Sequence, residues 1–204
     1  MMIRYFFAAM LFQSVVVGEA YADQSSFGAK LSAAAIERTL QDVTYDPAYV
    51  PLGYPGGDVP ADKGVCSDVI VRALRTLDAD LQFLIHEDMK ANFNSYPQVW
   101  GLSRPDRNID HRRVPNIEKF LTRKGARLSP SSNPKDYQPG DIVAWNLQGD
   151  AGFQAHIGIV TDQRGASGWP KVVHNIGSGP QLEDVLFAWQ MTGRYRVSAS
   201  TFNQ

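Results

Sequence analysis

Apolar positions fall at helical spacing through the first half of the chain and in short β-branched runs through the second. In residues 28–41 (GAKLSAAAIERTLQ), Leu31, Ala34, Ala35 and Ile36 form a helical stripe with Leu40. Residues 45–65 are rich in Pro and Gly, with Tyr54-Pro55-Gly56-Gly57-Asp58 at their centre, and read as a loop. In VCSDVIVRALRTL, Ile70, Ala73, Leu74 and Leu77 keep the i, i+3, i+4, i+7 rule. That predicts a helix from about Cys66 to Leu77, with Arg72 and Arg75 off its apolar stripe. A second amphipathic helix is predicted from Asp80, with Leu81, Leu84, Ile85 and Met89 inward. Residues 94–114 carry many Pro, Asn and Arg and read as irregular. Pro115 suits the first turn of a short helix bearing Ile117, Phe120 and Leu121, and Gly125 suits its stop.

Beyond Gly125 the period changes. Gln138-Pro139-Gly140-Asp141 is a turn, and it feeds IVAWNL, AHIGIVTD, KVVHNIG and finally GRYRV. Helices first and a mostly antiparallel sheet afterwards is an α+β layout. The chain has 204 residues, enough for one domain. Its 44% hydrophobic content supplies a core, and a net charge of −1 argues against a nucleic-acid partner, which needs a basic stripe to displace counterions. Residues 1–22 read as a signal peptide: Arg4 is the positive n-region, Tyr5 to Val17 the apolar run, and Ala20-Tyr21-Ala22 the small-x-small cleavage site. The apolar run is shorter than the roughly 20 residues that span a bilayer. The expected mature protein is therefore exported, periplasmic or secreted, begins at Asp23, and keeps no stable membrane anchor. Residues 23–204 are expected to form a single domain.

With one cysteine, Cys66, an intrachain disulfide and a Cys-paired zinc site are both excluded. A lone cysteine is compatible with a small buried hydrophobe. Its place at the start of a predicted helix offers another role, because unpaired N–H groups and the helix dipole there favour a thiolate and can hold an oxyanion. A cysteine nucleophile needs a base. His156 opens one predicted strand and His174 closes the next, so neighbouring strands would let His174 orient His156; Asn175 would point the other way. Either histidine taken alone is more often a satisfied structural residue, and it is the combination with a helix-start cysteine that points to chemistry.

Several motifs then carry a resemblance. Gly53-Tyr54-Pro55-Gly56-Gly57, Gly64-Val65-Cys66-Ser67-Asp68, Gln138-Pro139-Gly140-Asp141-Ile142-Val143, Ala155-His156-Ile157-Gly158-Ile159-Val160 and Val173-His174-Asn175 resemble, in order and spacing along about residues 45–197, the NlpC/P60 cysteine peptidase superfamily. The middle of the chain is similar to an exported bacterial family, domain of unknown function 1287, the YijF-like proteins. It does so through His86-Glu87-Asp88-Met89, Tyr96-Pro97, Trp100-Gly101, Arg104-Pro105-Asp106 and the run from Asn108 to Asn116. The resemblance implies an α+β, papain-like core of helices on a mostly antiparallel sheet of about five strands, with a family-specific helical and irregular insert over about 80–125. It also implies Cys66 as nucleophile, His156 as general base and later acid, and His174 as the third, orienting residue. Tyr54 lies near a substrate-site tyrosine of the superfamily, although Pro55 interrupts the usual Tyr-Gly-Gly. Asp68 stands where many members have Gly, either bonding the loop or approaching the site.

The implied chemistry is amide hydrolysis, and superfamily members commonly cut cell-wall peptides. Arg104, Arg107, Arg112 and Arg113 cluster in the insert, and guanidinium forks suit carboxylates, so Arg104, Arg112 and Arg113 are candidate substrate readers. The alternative is a solvated loop paired with Asp106 and Asp110. His86, Glu87, Asp88, Asp106, Asp110 and His111 are of metal-ligand type, but their spacing fits no metal pattern, and no metal or cofactor is expected. The leading expectation is an exported cysteine amidase or endopeptidase acting on peptidoglycan stem peptides. The alternatives are a Cys-dependent hydrolase or acyltransferase on another acyl substrate, and a catalytically silent cell-wall or protein-binding module.

Overall fold

A computed structural model describes residue 24 and residues 26–203. The expected leader, residues 1–22, lies outside the described residues. The first helix, α1, covers residues 26–38. Bonds from Thr39 N to Ile36 O and Leu40 N to Glu37 O tighten its end. That tightening turns Leu40 off the stripe, so Leu40 is 75% exposed rather than packed inward as its spacing predicts. Helix α2 runs Cys66–Arg75, α3 Leu81–Asn92, α4 Val114–Arg123 and α5 Ala199–Phe202. Asp80 caps α3 by accepting from Gln82 N. Gly125, at φ 74°, ends α4 in the left-handed region that glycine adopts without strain.

A short parallel pair, β1 (Thr44–Tyr45) and β2 (Lys63–Gly64), brackets the Pro/Gly-rich loop. The main sheet contains β3 (Arg127–Leu128), β4 (Ile142–Asn146), β5 (Ala155–Arg164), β6 (Pro170–His174), β7 (Gln181–Glu183) and β8 (Gln190–Tyr195). Its order is β3-β8-β4-β5-β6-β7, with every neighbouring pair antiparallel. The α+β class stands, but the sheet has six strands where about five were expected. The difference lies at its edges: β3 has two residues and β7 three, too few to show an alternation.

Both faces of the central strands are covered. Ile142, Ala144, Ile157, Ile159 and Val173 face the helices and join Leu31, Ile70, Leu74, Leu81, Ile117 and Phe120 in one core. Val143, Trp145, Val160 and Val172 face the other way, against Tyr137 and Leu186. This two-sided burial is why IVAWN reads as an apolar run rather than a polar–apolar alternation. The insert belongs to the same core, because α3 and α4 deliver Leu81, Ile85, Ile117 and Leu121 to it at 0% exposure.

One buried ion pair locks the insert to the start of α2. Arg112 donates from Nε to Asp68 Oδ1 and from Nη2 to Asp68 Oδ2, both at 2.9 Å, with the two side chains 2% and 3% exposed. Asp68 Oδ2 also accepts from Val65 N at 2.7 Å, and Ser67 Oγ donates to Arg112 O at 2.7 Å. Removing Arg112 would leave the Asp68 carboxylate buried and unpaired. Arg112→Met is expected to lower unfolding stability by about 3–5 kcal/mol, read by urea denaturation. A loss within the error of the extrapolation would show that the pair does not hold this junction.

Candidate active site

Cys66 is the first residue of α2, so the free N–H groups of the helix start surround its side chain. The thiol is 6% exposed. Burial pushes it up to about 12, partly opposed by the N–H groups of Ile157 and Ser67 and reinforced by the nearby Asp68 charge. A helix start by itself favours a thiolate at this position. In the folded chain, desolvation outweighs the helix terminus, and the resting group is a thiol.

Ile157, whose N–H meets the sulfur, follows His156 on β5. His156 is 2% exposed, and its Nε2 lies 2.8 Å from Nδ1 of His174, which is 0% exposed at the end of β6. The neighbouring strands therefore do bring the two histidines together. Gly158 permits the approach. A Cβ there would lie 2.7 Å from Val172 Cγ1, 2.9 Å from Val173 O and 3.2 Å from His174 Cβ.

Aromatic rings close the pair from water. Trp145, opposite His156 in register, stacks on it at 5.7 Å between centroids, and Trp189 meets both imidazoles edge-on at 5.8 Å. Trp145 is held by its own Nε1–H bond to Leu186 O at 3.1 Å. Burial, followed by the His174 charge, drives His156 down to about 3. Burial also lowers His174, with Glu183 acting in the opposite sense. Glu183 Oε2 lies 2.9 Å from His174 Nε2, off the line of a hydrogen bond. Trp145, Trp189 and Glu183 were absent from the sequence reading. They come from different strands and loops, and no local pattern connects them.

Two cavities lie along the insert. The first, about 210 Å³, is lined by Cys66, Val65, Tyr45, Pro47, Ile109, Arg112, Val114 and Ala155. The second, about 430 Å³ and more polar, is lined by Tyr49, His86, Leu102, Arg104, Pro105, Asp106, Arg107 and Asn108. The segment 45–49 contributes to both, as does the pair Asn108–Ile109. Tyr49 is fixed at that junction by bonds from its OH to Asp106 and from Asn108 Nδ2.

The candidate substrate residues divide accordingly. Arg104 and Arg107 line the second cavity, and neither guanidinium has a carboxylate partner among the described residues. Arg112 touches the first cavity but is committed to Asp68. Arg113 pairs with Asp110 at 2.8 Å and covers the Trp100 ring at 4.1 Å. Tyr54 packs against α3, donating to Glu87 at 2.6 Å with Arg107 over its ring. The tyrosine beside the thiol is Tyr45, which the sequence reading assigned only to a loop. Glu87 and Asp88 act as braces, Asp88 accepting from Tyr96 OH and Arg123.

The molecule is thus an α+β protein with a helix-leading cysteine under the Ile157 N–H of β5 and two hydrogen-bonded histidines on β5 and the adjacent β6. By sequence it belongs to the family described as Domain of unknown function (DUF1287), whose model matches residues 32–197. It is 60% identical over 152 residues to the uncharacterized protein YijF of Escherichia coli (strain K12), covering 74% of this chain and 73% of that protein. Among solved structures it is similar to an N-acetylmuramoyl-L-alanine amidase from Bacteroides uniformis, with 16% identity and a TM-score of 0.48 over 85% of this chain and 99% of that one. It is also similar to NlpC1 from Trichomonas vaginalis, with 14% identity and a TM-score of 0.42. That match covers 83% of this chain and spans 43% of the other.

Two outcomes follow from the buried groups. Alkylation of Cys66 by iodoacetamide should be slow at pH 7 and still rising above pH 9, because the thiol is raised to about 12; a plateau below pH 7 would contradict this. His156 is held near 3 against 6.5 when unfolded, so between those values the unfolded chain binds the extra proton. Folding stability should therefore fall as pH drops from about 6.5 toward 3, and His156→Gln should flatten that slope in thermal melts.

Proposed function

We propose that the protein is an exported cysteine hydrolase that cleaves amide bonds in peptidoglycan stem peptides through Cys66, His156 and His174. The observation that carries this reading is the 2.8 Å bond between the imidazoles, buried beside the strand N–H that meets the thiol. A structural histidine pair alone would need neither a helix-leading cysteine nor a cavity opening onto its sulfur.

The mechanism is acyl transfer to water. With the resting thiol protonated, His156 Nδ1 takes the Sγ proton as sulfur attacks the amide carbonyl carbon. The new oxyanion faces the N–H groups at the start of α2. The C–N bond then breaks, and the His156 imidazolium gives its proton to the leaving amine. A water molecule attacks the thioester, His156 receives its proton and returns it to sulfur, and a carboxylic acid leaves. Throughout, Nε2–H of His156 donates to His174 Nδ1 and holds the ring in place.

Substrate recognition is assigned to the groove formed by the two cavities. The apolar walls around Cys66 take the residue at the scissile bond, and Arg104 and Arg107, which have no carboxylate partner among the described residues, take a substrate carboxylate further along. Stem peptides are rich in such carboxylates. The sequence of residues 1–22 supports export to the compartment that contains them.

The test incubates the mature protein, with Cys66→Ala beside it, with purified peptidoglycan and isolated muropeptides, and reads the products by mass spectrometry. A new fragment released only by the wild type is expected; equal turnover by the mutant would falsify the mechanism. Arg104→Ala should raise KM about tenfold for a peptide with a free carboxylate and leave kcat within about twofold, while an amidated peptide shows no such change. A KM that rises equally for both peptides would remove Arg104 from substrate recognition.

A further inference from the structure

We propose that Glu183 is a positioning residue of this site: its carboxylate fixes the proton of His174 on Nε2 and so leaves His156 Nδ1 unprotonated. The catalytic meaning of that lone pair rests on the hydrolase reading above, whereas the tautomer itself does not.

His156 Nε2 and His174 Nδ1 are 2.8 Å apart, and one must donate to the other. If His156 donates, its Nδ1 keeps a lone pair and the His174 proton sits on Nε2. If His174 donates, the neutral His156 ring carries its proton on Nδ1 and has no base to offer, and His174 Nε2 holds a lone pair. The two arrangements place the heavy atoms identically, so the histidine pair cannot choose between them.

Glu183 makes the choice. Its Oε2 lies 2.9 Å from His174 Nε2. A carboxylate at that distance attracts an N–H and repels a lone pair, which selects the first arrangement. The contact is off the ideal hydrogen-bond line, so its effect is electrostatic rather than that of an aligned bond. Among the described residues, the charged or titratable groups facing His174 are His156 and Glu183. The remaining neighbours are the rings of Trp145 and Trp189.

The fold explains how Glu183 reaches this position. Strand β7 pairs with β6 so that Val172 opposes Glu183 and His174 opposes Gln181. Leu182 packs against the core on the helix side, which turns Glu183 to the face carrying His174. The Glu183 side chain is 46% exposed, and its tip reaches a ring with 0% exposure. A three-residue edge strand thereby supplies a charge to an otherwise aromatic enclosure.

The test reads tautomers directly. Long-range proton–nitrogen spectra of the 15N-labelled protein contain only four imidazoles, which single His variants assign. The wild type should show both His156 and His174 protonated on Nε2. Glu183→Ala should populate the Nδ1–H form of His156 and slow Cys66 alkylation at pH 7.5 by about tenfold, a size typical of losing an orienting partner. Glu183→Gln, which keeps the shape but removes the charge, should move the tautomers in the same direction as Glu183→Ala. Matching backbone spectra check the fold of each variant. Unchanged imidazole spectra in Glu183→Ala overturn the proposal. A tautomer change without any wall-peptide cleavage by the wild type would keep it and sink the hydrolase reading instead.

Discussion

The Asp68–Arg112 pair is the constraint on which the site depends. Two buried charges are costly unless each is fully satisfied, and here both are. Asp68 takes two guanidinium N–H groups and the Val65 N–H, while Arg112 also reaches the carbonyls of Ala48 and Asp46. Four segments therefore meet at one ion pair: the loop before Cys66, the start of α2, the insert, and the strap that carries Tyr45 and Pro47. Those same segments form the walls of the cavity at the thiol. A movement of any one of them would leave a charge unpaired, so the cavity is held by electrostatics at its back and by packing on its sides.

The same dryness governs the chemistry. Cys66 and both histidines are buried, and burial disfavours the charged form of each. The thiol and the imidazole pair thus both rest neutral. In the proposed reaction, charge separation comes with the substrate, as an oxyanion forms opposite the α2 N–H groups and an imidazolium forms between the two tryptophans. Low local dielectric strengthens each of those interactions once formed, and it makes the proton's location on the imidazole chain matter.

The divided behaviour of the insert's arginines follows from similar reasoning. Four guanidinium groups look alike in the sequence. In the fold, Arg112 and Arg113 have carboxylate partners of their own, whereas Arg104 and Arg107 line a polar cavity and have none among the described residues. A cation already paired inside the protein has little left to offer a ligand, and an unpaired one at a cavity wall has its full valence.

Local order was legible in the chain itself. The helices at Cys66, Leu81 and Val114 follow from apolar residues at helical spacing and from Asp80, Pro115 and Gly125 at their ends, because these signals act within a few residues. The placement of Cys66 at a helix start and of His156 and His174 on successive strands came from the same kind of reading. What spans the chain was not legible. Asp68 and Arg112 are 44 residues apart in sequence, and nothing local pairs them. Glu183 stands on a strand too short to announce itself, and Leu40 fails its stripe because the helix tightens two residues earlier. The thiol's protonation is not legible locally, because a helix start can be inferred from sequence, whereas desolvation depends on every neighbour that the tertiary structure packs around the sulfur. Sequence determined the elements and the reactive residue types; only the folded structure decided which charges pair, which stay free, and where the protons rest.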